Sequence, residues 1–101
     1  MNVMLVGNGG REHAIAWKLT QSKGLNRLYI APGNPGTAAC GTNVPIEATD
    51  IPALVDFAKG RDVGLLVVGP EAPLAEGLVD AFEQAGIKAF GPTRQAARLE
   101  G

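Results

Sequence analysis

The run Gly7-Asn8-Gly9-Gly10-Arg11-Glu12-His13 is where this chain concentrates residue types suited to binding chemistry. It follows the apolar stretch Val3-Met4-Leu5-Val6 and opens a segment of helical periodicity. A strand, a glycine turn and a helix start place backbone N–H groups around an anion, usually a phosphate. Glycine serves this purpose because the chain turns sharply and a side chain would hold a ligand off the backbone. The run departs from the dinucleotide fingerprint G-x-G-x-x-G, whose third glycine would fall at position 12, where Glu12 stands. The loop therefore reads as one for a phosphate or a ribose and poorly as one for NAD. Arg11 opposes the dipole at a helix start, which hints at an anionic ligand, whereas Glu12 suits that position.

The elements that must hold this run alternate between strand and helix. A first strand is expected at Asn2 to Val6. A first helix follows over Arg11 to Ser22, with Ile15 and Leu19 on one face and Gly24 as its stop. A second strand spans Arg27 to Ala31, and a long loop rich in glycine, proline and small residues runs from Pro32 to Asn43. Val44-Pro45-Ile46 reads as a weak strand that Pro45 confines to an edge. The second helix, Pro52 to Lys59, has Asp50 as N-cap and apolar residues Ile51, Leu54, Val55 and Ala58 at helical spacing. The strand Gly64 to Val68 is apolar throughout, as expected of one buried on both faces. A third helix, Leu74 to Ala85, ends at Gly86. A strand at Ile87 to Phe90 and a short helix from Thr93 complete the pattern. Repeated β-α-β units imply an α/β fold, an open parallel sheet of about five strands with helices on both faces.

Ligands of such sheets bind at the carboxyl ends of the strands. The unusual segments all fall there: Gly7 to Gly10, Ala31-Pro32-Gly33-Asn34-Pro35-Gly36-Thr37, Gly69-Pro70-Glu71 and Gly91-Pro92-Thr93. With the strand order 3-2-1-4-5, the Gly7 loop and the Gly69-Pro70-Glu71 loop face each other across the crevice. Backbone amides there suit phosphate or ribose oxygens, and the Glu71 carboxylate suits a ribose diol. His13 has no acid partner in sequence and reads as structural. Trp17 reads as a helix packing residue and Cys40 as an unactivated thiol. Lys59, Arg61 and Asp62 read as a solvated turn. No Ser-His-Asp order, metal spacing or Walker lysine is present, so no catalytic residue and no metal ligand is assigned.

The bulk properties agree with a small binding domain. The 101 residues suffice for one domain. The hydrophobic share of 46% and charged share of 19% are those of a globular protein. A net charge of −1 gives no reason to expect nucleic acid or an anionic membrane. No apolar run approaches the roughly 20 residues of a membrane span, and no signal peptide is evident. A single cysteine excludes an internal disulfide and fits a reducing cytoplasm.

Four segments in order carry a resemblance: Gly7 to Ala14, Ala31 to Thr37, Gly69-Pro70-Glu71-Ala72-Pro73-Leu74 and Phe90-Gly91-Pro92. Together they resemble the glycinamide ribonucleotide synthetases, the phosphoribosylamine–glycine ligases of purine biosynthesis, over essentially the whole chain. The resemblance implies residues 1–101 to be the N-terminal, Rossmann-like domain that precedes an ATP-grasp. The ATP-grasp and C-terminal domains would lie outside the chain. The family reaction joins 5-phosphoribosylamine and glycine with ATP to give glycinamide ribonucleotide, ADP and phosphate. ATP phosphorylates the glycine carboxylate, and the amine attacks the acyl phosphate. The implied role of this domain is to help hold phosphoribosylamine, with Gly9, Gly10 and Arg11 as loop contacts, Glu71 on the ribose or amine side and Pro70 shaping its loop. Which loop meets phosphate stays open. ATP and Mg2+ (or Mn2+) would be bound mainly by the ATP-grasp domain, the implied partner, so the isolated chain is expected to be inactive. The location implied is cytoplasmic, with no membrane or nucleic-acid partner. Two other readings are an NAD-binding dehydrogenase fragment and a stand-alone nucleotide-binding module. The first predicts a glycine at position 12 and an acid at the end of the second strand, and the sequence has Glu12 and Ala31-Pro32-Gly33.

Overall fold

The computed structural model describes residues 1–7, 10–69, 72 and 74–91, and for Gly10 and Arg11 the backbone alone. Five strands form one parallel sheet: β1 (Asn2–Gly7), β2 (Arg27–Pro32), β3 (Thr42–Asn43), β4 (Val63–Val68) and β5 (Lys88–Phe90). Their order is β3-β2-β1-β4-β5, the one supposed above in placing the Gly7 and Gly69 loops opposite each other. Among the described residues three α-helices connect them: α1 (Gly10–Thr20), α2 (Ile51–Gly60) and α3 (Ala75–Gln84). The chain moves one way across the sheet after β1 and the other way after β4. Right-handed crossovers then put α1 on one face and α3 on the opposite one.

The side-chain alternation of β1 divides the core in two. Met4 and Val6 pack with Leu66 and Val68 of β4 under Leu54 and Ala58 of α2 and Leu78 and Phe82 of α3. Val3 and Leu5 point the other way and pack with Leu28, Ile30 and Val67 under Ile15, Ala16 and Leu19 of α1. Both faces of β1 and of the end of β4 are thus dry, which is why their sequences are apolar without alternation.

The helices start and stop for local reasons. Asp50 caps α2, its Oδ1 accepting the Ala53 N–H at 3.3 Å, with Pro52 in the first turn. Helix α3 closes with Ile87 N–H donating to the Phe82 carbonyl at 2.9 Å across Gly86, whose φ is +83°. Gly24 does not stop α1 in this way. The helix ends four residues earlier, at Thr20, and Gly24 has no left-handed backbone. The expected strand at Val44–Ile46 also shifts: the ladder pairs Thr42 with Tyr29 and Asn43 with Ile30. Val44 N–H still donates to the Ile30 carbonyl at 2.7 Å, but Pro45 has no N–H to continue. The helix expected from Thr93 lies outside the described residues.

The loop after β2 is held by a compact polar network. Thr37 is fully buried at the start of a 3-10 turn (Thr37–Ala39). Its Oγ1 accepts the Asn34 N–H at 2.8 Å and lies 2.9 Å from the Asn34 carbonyl and 2.8 Å from Asn43 Oδ1, acceptors that share its one proton. Thr37 N–H donates to Asn34 Oδ1 at 2.9 Å, and Asn43 Nδ2 donates to the Asn34 carbonyl at 2.8 Å. Gly33 is required here twice over. Its φ is +76°, and a Cβ would stand 2.9 Å from Thr37 Oγ1 and collide with Asn43 Oδ1.

Two outcomes follow for stability, both read by urea denaturation of the chain. Phe82→Ala empties the centre of the α2–α3 layer and is expected to cost about 3–5 kcal/mol; a loss under about 1 kcal/mol would show that the layer does not depend on it. Thr37→Val keeps the shape but strips a buried network of its hydroxyl, and is expected to cost about 1–3 kcal/mol. No change on Thr37→Val would mean the network contributes nothing to the loop.

Candidate functional site

All pairings in the sheet are parallel, so the carboxyl ends of the strands lie along one rim. The centre of that rim is the junction of β1 and β4, the point where the strand order reverses. Val6 is in register with Val68, and the ladder continues one step further through Gly69 N–H donating to the Val6 carbonyl at 2.9 Å. On its other side, Gly7 is in register with Pro32 of β2, which follows a cis Ala31–Pro32 peptide bond. The glycine run and the Gly69-Pro70-Glu71 segment therefore leave the sheet from adjacent strand ends.

The parity of the strands places Gly7 and Gly69 on the α1 side, in line with Val3 and Leu5 and with Val67. Helix α1 lays Glu12, Ile15, Ala16 and Leu19 along this face, spaced at i, i+3, i+4 and i+7. Glu12 is the end of that stripe nearest the rim, and it is 0% exposed. A Cβ built on Gly7 would stand 2.7 Å from Glu12 Cδ, and one built on Gly69 would also stand 2.7 Å from it. In both cases the Glu12 Oε1 atom would be closer still. The two glycines leave room for one buried carboxylate. Gly7 has in addition a φ of +147°, which disfavours any side chain there.

Sequence reasoning took Glu12 as a first-turn helix residue and missed its burial. The signal was present in the parity, with glycine at both rim positions of the α1 face opposite a large side chain where a dinucleotide fold has its third glycine. His13, the next residue, is exposed and lies toward the loop after β2, where a Cβ on Gly36 would stand 3.2 Å from its Nδ1. Trp17 does not pack into the core. It is 57% exposed, because it sits roughly 160–200° around α1 from Ile15 and Leu19. Cys40 is half-buried against the α1-side core, and Lys59, Arg61 and Asp62 are exposed, as expected.

Of the residues expected to touch a ligand, Gly10 opens α1 and the Arg11 backbone lies in its first turn. Gly9, Pro70 and Glu71 lie outside the described residues, as does the Arg11 side chain. Among the described residues, no group of three or more His, Cys, Asp or Glu side chains could hold a metal ion, and no helix is long and apolar enough to cross a membrane. An apolar groove of about 390 Å³, lined chiefly by Met1, Val3, Ile15, Leu19, Leu65 and Val67, lies at the amino ends of the strands. Its largely apolar lining offers no match to a sugar phosphate.

Comparison with known proteins bears on this geometry. A family model described as phosphoribosylglycinamide synthetase, N domain, matches residues 1–100. A phosphoribosylamine–glycine ligase of Haemophilus influenzae is 58% identical over all of this chain, which covers 24% of that protein. One of Rhodopirellula baltica is 54% identical over 99% of the chain, covering 23% of that protein. The chain thus spans about a quarter of the length of these curated relatives. The crystal structure of a phosphoribosylamine–glycine ligase from Thermotoga maritima superposes with a TM-score of 0.51 at 33% identity, over 75% of this chain and 18% of that one. The match over nearly every residue, and the shared sheet, lead to one conclusion: the chain belongs to the phosphoribosylglycinamide synthetase N-domain family.

Proposed function

We propose that this chain is the N-terminal, pre-ATP-grasp domain of an ATP-dependent ligase that joins 5-phosphoribosylamine and glycine into glycinamide ribonucleotide, with ADP and phosphate as the other products. Its part is to help hold phosphoribosylamine at the β1–β4 rim. The observation that carries this reading is the abutment of the two strand ends, Gly69 N–H bonded to the Val6 carbonyl, from which the glycine run and the Gly69-Pro70-Glu71 segment depart. In a parallel sheet this switch point is where a ligand meets backbone amides and a helix start together.

In this reading Gly9, Gly10 and Arg11 contact the sugar phosphate from the β1 side. Pro70 shapes the facing loop, and Glu71 accepts hydrogen bonds from ribose hydroxyls or the amine. The described residues offer no acidic cluster that fits Mg2+. ATP, Mg2+ (or Mn2+) and the activation of glycine are assigned to the ATP-grasp part of the ligase, and no step of that chemistry is assigned to this chain. A cytoplasmic location goes with the reaction. The dehydrogenase-fragment reading loses support from Glu12, whose buried carboxylate occupies the place the fingerprint keeps for glycine.

Glu71→Ala in a full-length ligase carrying this domain tests the assignment. Loss of charged hydrogen bonds of about 1.5–3 kcal/mol predicts a KM for phosphoribosylamine raised roughly 10- to 150-fold. The values for ATP and glycine are expected to hold, and unchanged kinetics would remove Glu71 from the site. Residues 1–101 alone are expected to give no turnover with all three substrates; measurable product from the purified chain would overturn the division of labour.

A further inference from the structure

The buried carboxylate of Glu12 has no part in the contacts proposed above, yet it is the one acidic side chain enclosed at the rim among the described residues. It lies over both strand ends that launch the two binding segments. We infer that Glu12 is a positioning residue: wedged against Gly7 and Gly69, it fixes the spacing of the β1 and β4 ends and so the approach of the two rim loops to a sugar phosphate. The functional half of this inference rests on the phosphoribosylamine-binding reading; the mechanical half does not.

The geometry supplies the argument. Glu12 Cδ stands 2.7 Å from the Cβ position of each glycine, closer than two carbon atoms normally approach. The side chain therefore fills the space that two ordinary residues would need. It is carried on the first turn of α1, whose Ile15, Ala16 and Leu19 are anchored in the core one and two turns below. The wedge is thereby tied to the rigid body of the domain. Gly69, unlike Gly7, has no left-handed φ, and the three atoms nearest to a Cβ placed there all belong to Glu12.

That proximity gives a test that uses no substrate. Gly69→Ala in this chain is expected to lower the urea midpoint, and combining it with Glu12→Ala is expected to remove at least about half of that loss, since the new methyl enters vacated space. Amide exchange at Gly69 is expected to accelerate about tenfold or more in Glu12→Ala and to stay near the parent rate in Glu12→Gln, which keeps the shape. Strictly additive losses, or unchanged Gly69 exchange in folded Glu12→Ala, would overturn the wedge. In the full-length ligase, Glu12→Ala is expected to raise the KM for phosphoribosylamine about tenfold with the values for ATP and glycine held, and Glu12→Gln to restore it. A folded Glu12→Ala ligase with unaltered KM would leave Glu12 a purely structural residue and overturn its positioning role. Failure of the parent ligase to use phosphoribosylamine would instead contradict the assigned reaction, with the exchange and denaturation results still deciding the wedge.

Discussion

The close contact between Glu12 of α1 and the glycines ending β1 and β4 is the constraint on which the rim depends. The chain makes room for the enclosed Glu12 side chain by omitting two others, at Gly7 and Gly69, on the very face where Val3, Leu5 and Val67 otherwise build a dry core. Below Glu12 the packing of α1 is ordinary and apolar. At Glu12 it becomes polar, and the rim begins.

The rest of the architecture serves to hold that junction still. β1 is buried on both faces and bonded on both edges, to β2 and β4. Its end therefore cannot shift without disturbing both core layers. Beside it, the loop after β2 is fixed by the Asn34–Thr37–Asn43 network, and His13 of α1 stands against that loop at Gly36. The strand ends at the centre of the rim and the loop that flanks them are thus each held by packing or hydrogen bonds.

Much of this was legible in the sequence. Alternating apolar runs and helical periodicity point to a parallel sheet; the strand order 3-2-1-4-5 was a supposition, and the structure has it. Asp50 and Gly86 announce their helix ends by residue type. Other features were missed, for identifiable reasons, besides the end of α1, which Gly24 does not mark. The third strand depends on which residues meet Tyr29 and Ile30, a tertiary matter that propensity around Val44 does not report. The exposure of Trp17 follows from its angle on α1 relative to Ile15 and Leu19, which outweighs the general tendency of tryptophan to be buried. Glu12 was read from its neighbours in sequence, the helix dipole among them, whereas its environment is made by Gly69, far along the chain. The candidate site was legible as a set of segments sharing one rim, but the wedge that spaces them was not.

The most direct test of a sugar-phosphate site at the β1–β4 rim is a titration of the isotopically labelled chain followed by amide chemical shifts. Ribose 5-phosphate would stand in for the labile amine, and NAD would be added separately. The account predicts shifts at Gly9, Gly10 and Glu71 with ribose 5-phosphate and none with NAD. Shifts at these positions with NAD alone would contradict it.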